Sequence, residues 1–476
     1  MASRLFACAL GGAAGLGLAT GCSTPFELPP VNTNVLKRVT PEGVDRVPPS
    51  AFRETAAEAE VAPALPANAS PDEFVRYALY NNPRVEAALL RWRAAVERLP
   101  QVSAPPDPRL TFGYFLEEVQ TRTGPQEARF GVAQTLPWFG KLQDREDAAS
   151  KAAIAAWRQF EAARLDVVER VVGTLHDLAY LDAATRITEE NLRLLGSLEE
   201  VVRARYRVGS GTHSELIRVQ VELGQLEDRL AQLRAMRPSF VAELNAALNR
   251  ETTAPVATMR ELPGRVATVE GAALSEIARR SNPTLLALDE MADEQRYMTE
   301  VARKDGLPEL TVGLEYIVTG QAINPATPGS GDDPVLLSFG VNLPLWRDKY
   351  DAGVRETMAR RLAITHERGG EANRVAAGVQ RAWFEHTDAD RRVRLYEQTL
   401  IPKAEESLRA SLAGFRSGDA SFLELLDTER TLLEFAVAAE RAKADRGKAL
   451  ARLSTLVGED IPTRPAAAAP ETEATK

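Results

Sequence analysis

The chain is written twice. "YNNPRVEAAL" (80–89) is answered by "RSNPTLLALD" (280–289), which sets Asn82-Pro83 and Asn282-Pro283 200 residues apart, and "PRLTFGYFLEEV" (108–119) is answered by "PELTVGLEYIV" (308–318) at the same offset. After a longer connection in the second half, Phe130-Gly131 matches Phe339-Gly340 at an offset of 209, and "RYRVGSGTHSEL" (205–216) matches "GFRSGDASFLEL" (414–425) at 209 again. Four matches in one order mark a duplication, so whatever unit one half forms, the other forms too. That unit runs through an Asn-Pro break between helices, two alternating segments, a long helix, a glycine turn and a returning helix. The first repeat spans 71–270 and the second 271–458.

The alternating segments carry large apolar residues at every second position. Leu110, Phe112, Tyr114 and Leu116 enclose Thr111 and Gly113, while Val335, Leu337, Phe339, Val341 and Leu343 enclose Ser338, Gly340 and Asn342. Strands are expected at about 109–118, 128–137, 309–318 and 335–344. Alternation of this length fits a membrane barrel with its apolar face to lipid, and it fits a half-buried soluble sheet equally well; the pattern alone does not separate them. "EEVQTRTGPQEA" (117–128) and "TGQAINPATPGSGDDP" (319–334) read as polar surface loops.

From Pro137 to Gly209 is 72 residues, and from Pro344 to Gly418 is 74. A helix filling most of either span is about 100 Å long, too long for a compact core to cover. Long helices are expected at about 141–207, 213–249, 348–416 and 421–457. Stripes such as Val168, Val171, Leu175, Leu178 and Tyr396, Leu400, Leu408, Leu412, Phe415 supply packing seams between them. Each strand-to-helix junction carries a tryptophan, Trp138 in "AQTLPWFGKLQDR" and Trp346 in "NLPLWRDKY", the residue type favoured at a membrane–water interface. No stretch beyond the first residues reaches the roughly 18 apolar residues a spanning helix needs. Four strands cannot close a barrel, and open strand edges cannot face hydrocarbon, so a membrane sheet of this kind requires further copies of the chain.

Residues 1–21 hold Arg4, an apolar Leu5–Leu18 stretch and then "ATGC", the layout of an export signal. Cleavage before Cys22 leaves one cysteine and no intrachain disulfide. The small residues Ala19, Thr20 and Gly21 resemble a lipoprotein signal and make Cys22 the candidate lipidation site. Removing the signal takes the net charge from −9 to −10, with 57 basic against 67 acidic residues. That balance disfavours nucleic acid as a partner. Residues 22–70 are Pro-rich and read as extended, and 459–476 reads as a disordered tail. His176, His213, His366 and His386 are scattered without metal-ligand spacing, so neither a metal centre nor a cofactor is expected, and the reading is not an enzyme. Met291 and Met298 read as helix core, and no phosphate-cradling glycine loop supplies an energy source.

The paired tip motifs "RYRVGSGTHSELIRVQVELGQLEDRL" (205–230) and "GFRSGDASFLELLDTERTLLE" (414–434), the two Asn-Pro breaks and "AQTLPWFGKLQDR" together resemble the TolC family of outer-membrane efflux channels. The resemblance covers roughly 70–458. It implies a mainly α chain with a transmembrane β-barrel: four strands per chain giving a twelve-stranded barrel in a homotrimer, continued by a long periplasmic α-helical barrel. It implies a passive duct working with a periplasmic adaptor protein and an inner-membrane transporter of RND or ABC type, inserted in outer-membrane lipid and lipid-anchored. The wording "TLPWFGKL" leans towards the heavy-metal cation efflux branch. Carried over on the matching motifs, Tyr206, Arg207, Gly209, Gly211, Thr212, Phe415, Arg416, Gly418 and Ser421 form the adaptor-contact tips. Glu424 and Asp427 become the channel constriction, whereas the first repeat has Glu215 but Arg218 at the equivalent positions. Competing readings are a type I secretion duct and a lipid-anchored periplasmic coiled-coil scaffold.

Overall fold

The computed structural model describes residues 65–66, 68–259 and 262–466. Cys22 and the expected signal therefore lie outside the described residues. In the first half, α1 (Pro71–Asn81), α2 (Pro83–Val96) and α3 (Arg98–Ser103) lead into β1 (Arg109–Thr121) and β2 (Gly124–Leu136), followed by α4 (Lys141–Arg207) and α5 (His213–Ala247). β3 (Arg265–Ala267) ends the first half, and the second has α6 (Gly271–Ser281), α7 (Pro283–Asp305), β4 (Leu310–Thr319) and β5 (Val335–Val341). It continues through α8 (Arg347–Leu395), a π-helical turn at Tyr396–Leu400, α9 (Ile401–Ser417), α10 (Phe422–Val457) and β6 (Thr463–Pro465).

Each Asn-Pro break does the same two jobs in its own half. Proline at the first helical position needs no donor, and the preceding asparagine caps the helix. Asn82 Oδ1 accepts the Arg84 N–H at 2.9 Å while its Nδ2 donates to the Ala247 carbonyl at 2.7 Å. Asn282 Oδ1 accepts from Thr284 at 3.0 Å while its Nδ2 donates to the Leu456 carbonyl at 2.8 Å. The break thus ties the start of each repeat to its last helix. α4 packs on α2, α5, α7 and α10 along its length. One core gathers Trp92, Trp157 and Phe160 with α1, α2, α4 and α5, the two indoles meeting edge-on at 4.9 Å. A second core lies towards the far ends of the long helices, and a third joins α6, α8 and α10. Met291 and Met298 are half-buried on α7.

The four long strands form one antiparallel sheet in the order β1-β2-β4-β5, leaving β1 and β5 as open edges. Cross-strand register sorts the side chains onto two faces. Phe112 pairs with Phe130, Phe130 with Tyr316, and Tyr316 with Val335; Val132 pairs with Leu314, and Leu314 with Leu337. The opposite face carries Thr111, Gly131, Ala133, Gly313, Ser338 and the Arg129–Glu315 ion pair. Within one chain nothing covers the apolar face: Leu110 is 80% exposed, Phe112 64% and Phe339 67%. A soluble sheet buries such a face, so the soluble alternative loses its physical basis.

Three expectations need correction. The tail expected from 459 is ordered at its start, where β6 (Thr463–Pro465) pairs antiparallel with β3 (Arg265–Ala267), because backbone groups there find a ladder partner that side-chain composition does not announce. The polar segment 117–128 is not an open loop: β1 and β2 run through it to a turn at Arg122 and Thr123, with Thr121 Oγ1 donating to the Gly124 carbonyl. Strand pairing uses backbone groups, so polar side chains extend a ladder beyond its apolar part. Gly124 is required there, since φ is +140° and a Cβ would lie 1.7 Å from the Gly320 oxygen. The long helix expected at 348–416 is also not uniform. Pro402 lacks an N–H and its ring crowds the carbonyl four residues back, and the backbone widens into the π turn immediately before it.

Candidate functional site

The long helices meet the sheet at one end and the glycine turns at the other. At the sheet end, Gly140 (φ +74°) turns the chain into α4, whose first residue, Lys141, is buried between Asp305 at 2.8 Å and Glu309 at 2.6 Å. Burial alone would lower the ammonium pKa, but the two carboxylates outweigh it and hold it above its usual range. Lys304 reaches Asp144 at 2.5 Å. The end of α7, the start of α4 and the start of β4 are therefore clamped together. Beside this clamp Trp138 is 38% exposed and Trp346 is 76% exposed.

At the other end the two turns share one construction. In the first, Gly209 adopts φ +75°, and Ser210 N–H donates to the Arg205 carbonyl at 2.9 Å. Thr212 then opens α5 with a reciprocal cap: Glu215 N–H donates to Thr212 Oγ1 at 3.2 Å, and Thr212 N–H donates to Glu215 Oε2 at 2.8 Å. In the second, Gly418 adopts φ +90°, Asp419 N–H donates to the Gly414 carbonyl at 2.8 Å, and Ser421 Oγ accepts the Glu424 N–H at 3.2 Å. Here the cap is one-way. Among the described contacts the Glu424 carboxylate does not return to Ser421, and it stands exposed with Asp427 on one face of α10.

Tyr206, Arg207, Gly209, Thr212, Arg416, Gly418 and Ser421 are exposed and Gly211 is half-buried. Phe415 differs from this group. Its ring is 6% exposed, lying 5.8 Å from Phe422 with the Arg205 guanidinium 4.5 Å above it, so it supports the tip from inside and offers no free surface. Arg205 also donates to the Phe415 carbonyl at 3.3 Å, and Arg430 on α10 grips Glu222 on α5 at 2.5 and 3.2 Å. These two arginines latch the first hairpin to the second. Sequence reading missed both, because an arginine near a turn does not name its partner. Glu429, one residue before Arg430, was missed too, although its spacing from Leu425 and Leu433 places it on the buried stripe.

The histidines form no centre. His386 is fully buried, with Nε2 accepting the Ala267 N–H at 3.1 Å and Nδ1 therefore donating to the Arg446 carbonyl at 3.1 Å. Burial pushes the His176 imidazole down to about 4. His213 is exposed with its ring 5.6 Å from Tyr206, and His366 is exposed. Among the described residues no group of three or more His, Cys, Asp or Glu side chains converges as metal ligands. No helix among them is long and apolar enough to cross a membrane.

Residues 75–250 and 274–459 match the family described as "Outer membrane efflux protein". The chain is 23% identical to the pyoverdine export outer membrane protein OpmQ of Pseudomonas putida, the match covering 89% of this chain and 95% of that one. It is 21% identical to the cobalt-zinc-cadmium resistance protein CzcC of Cupriavidus metallidurans, over 69% of this chain and 75% of that one. The crystal structure of the outer membrane protein VceC from Vibrio cholerae superposes with a TM-score of 0.67 at 16% identity, covering 82% of this chain and 96% of that one.

Proposed function

Since the chain belongs to the outer membrane efflux protein family, the TolC family, we propose that it is the outer-membrane duct of a tripartite efflux system, a passive trimer that carries small molecules or metal cations out of the periplasm. One observation carries this reading: a four-stranded sheet with an uncovered apolar face and two open edges continues directly into helices about 100 Å long. Three copies joined β5 to β1 supply twelve strands, hide every edge and turn the polar face into a lumen. The helices then form the periplasmic conduit. Trp138 and Trp346 mark the inner membrane–water boundary, and Cys22 carries the lipid anchor. The exposed tips around Gly209 and Gly418 meet the periplasmic adaptor, which joins the duct to an inner-membrane transporter of RND or ABC type.

Glu424 and Asp427 form the constriction. Three-fold symmetry brings six carboxylates together directly behind the second tip, where they favour cations and repel anions. The test is planar-bilayer recording of the trimer. Glu424→Gln with Asp427→Asn is expected to lower cation selectivity and weaken block by multivalent cations, with the trimer unchanged. Wild-type selectivity and block in that double variant would place the constriction elsewhere.

A further inference from the structure

We propose that Glu429 is a proton-binding site that controls how tightly the two hairpins of each protomer pack beside the constriction. The proposal rests on reading the tip as the gate for its consequence, though not for its chemistry. Leu425, Leu426, Glu429 and Leu433 share the buried stripe of α10. Glu429 is 4% exposed, and its Oε1 has no hydrogen-bond partner. Around it the same apolar seam gathers Val219 and Leu226 of α5, Leu195 and Val202 of α4, and Leu408 and Phe415 of α9.

Among the described residues no cation is paired with it. On α5 the facing charge is Glu222, a like charge, and Arg430 beside Glu429 is already committed to Glu222. On α4 the buried carboxylate Glu199 is held by Arg203 at 2.5 Å and receives Gln220 at 3.2 Å. On α9 the seam receives the Ser411 hydroxyl, which lies 3.5 Å from Thr428, while Lys403, Glu405, Glu406 and Arg409 are exposed. An ionised Glu429 is therefore an uncompensated charge in an apolar seam beside a second carboxylate, and a proton removes the penalty.

Burial first, and Glu222 second, push the Glu429 carboxyl up to about 7. The sign follows. A raised carboxyl pKa stabilises packing fully below its ordinary value of 4.5, and that contribution is lost as pH rises through about 7. The hairpins of one protomer are tight in mild acid and loosened on the alkaline side of neutrality. A shift of this size changes the ratio of packed to separated seams by roughly a hundredfold across the window.

Hydrogen exchange on the intact detergent-solubilised trimer, corrected for the intrinsic pH dependence of exchange, tests this directly. In the wild type, protection across 219–226 and 422–433 is expected to fall by a factor of roughly ten or more as pH rises through neutrality. Glu429→Gln is expected to keep the acid-side protection at every pH, and Glu222→Gln, which removes the like charge together with the Arg430 latch, to lower protection overall while moving the midpoint of its pH transition to lower pH. Wild-type protection that does not change with pH, or a Glu429→Gln trimer with an unaltered transition, would overturn the proposal. If protection responds to pH while bilayer conductance does not, the proton site stands and the tip is not the gate.

Discussion

At the scale of single residues, buried charge is tolerated only where partners are supplied. Lys141 sits at the first turn of α4, where a cation opposes the helix dipole, and it is held there by Asp305 and Glu309. Replacing it by Met should cost about 1–3 kcal/mol, less than a fully buried pair because both carboxylates keep some contact with water. A thermal-unfolding series on the purified trimer, with Glu309→Gln as the matched control, measures it. Gly418 makes a cleaner case. A Cβ there meets no atom within 4 Å, so the strain of φ +90° is the whole cost of a side chain. Gly418→Val should distort the second tip at about 1–2 kcal/mol, abolish adaptor capture and leave the trimer assembled. Undiminished capture of a purified adaptor would remove that turn from the docking surface.

Elements repeat their solutions as faithfully as residues do. Asn82 and Asn282 each cap a helix and satisfy a carbonyl at the end of α5 or α10. Ala at either position removes the cap and leaves a buried carbonyl unpaired, for an expected loss of about 2–3 kcal/mol. The two sites share no partner, so their effects on denaturant midpoints should add. A double variant no less stable than either single one would show that the halves are not anchored independently. The repeats differ where their demands differ: α4 is unbroken over 67 residues, whereas its counterpart is divided by the π turn before Pro402. The second tip likewise gives up the reciprocal cap of Thr212 and Glu215, which frees the Glu424 carboxylate to face outwards.

For the whole molecule, the sheet decides the environment. Phe339→Lys places a charge on an edge strand at a position already 67% exposed in the single chain. A soluble sheet would gain solubility from that change. A lipid-facing strand should lose about 2–4 kcal/mol of insertion free energy near the bilayer midplane, read as reduced recovery of folded trimer in lipid vesicles. Unimpaired folding of Phe339→Lys in vesicles would contradict a lipid-facing β5.

The sequence by itself determined the plan of this protein: a duplication, its offsets of 200 and 209, strands by period-two alternation, helices by length and spacing, and turns by glycine. These are local properties, written in side-chain period and backbone preference, and they survive without knowledge of any neighbour. Which face of the strands is covered, by contrast, is a question of contact, and alternation around Phe112 or Phe339 left it open until the sheet was seen with nothing packed on it. The π turn before Pro402, the grip of Arg205 on Phe415 and of Arg430 on Glu222, and the inward position of Phe415 were likewise undecided. Only the tertiary structure settles them. Hydrogen bonds and ion pairs join residues some 210 positions apart, and the free energy of a charge such as Glu429 depends on what surrounds it, which no local pattern encodes.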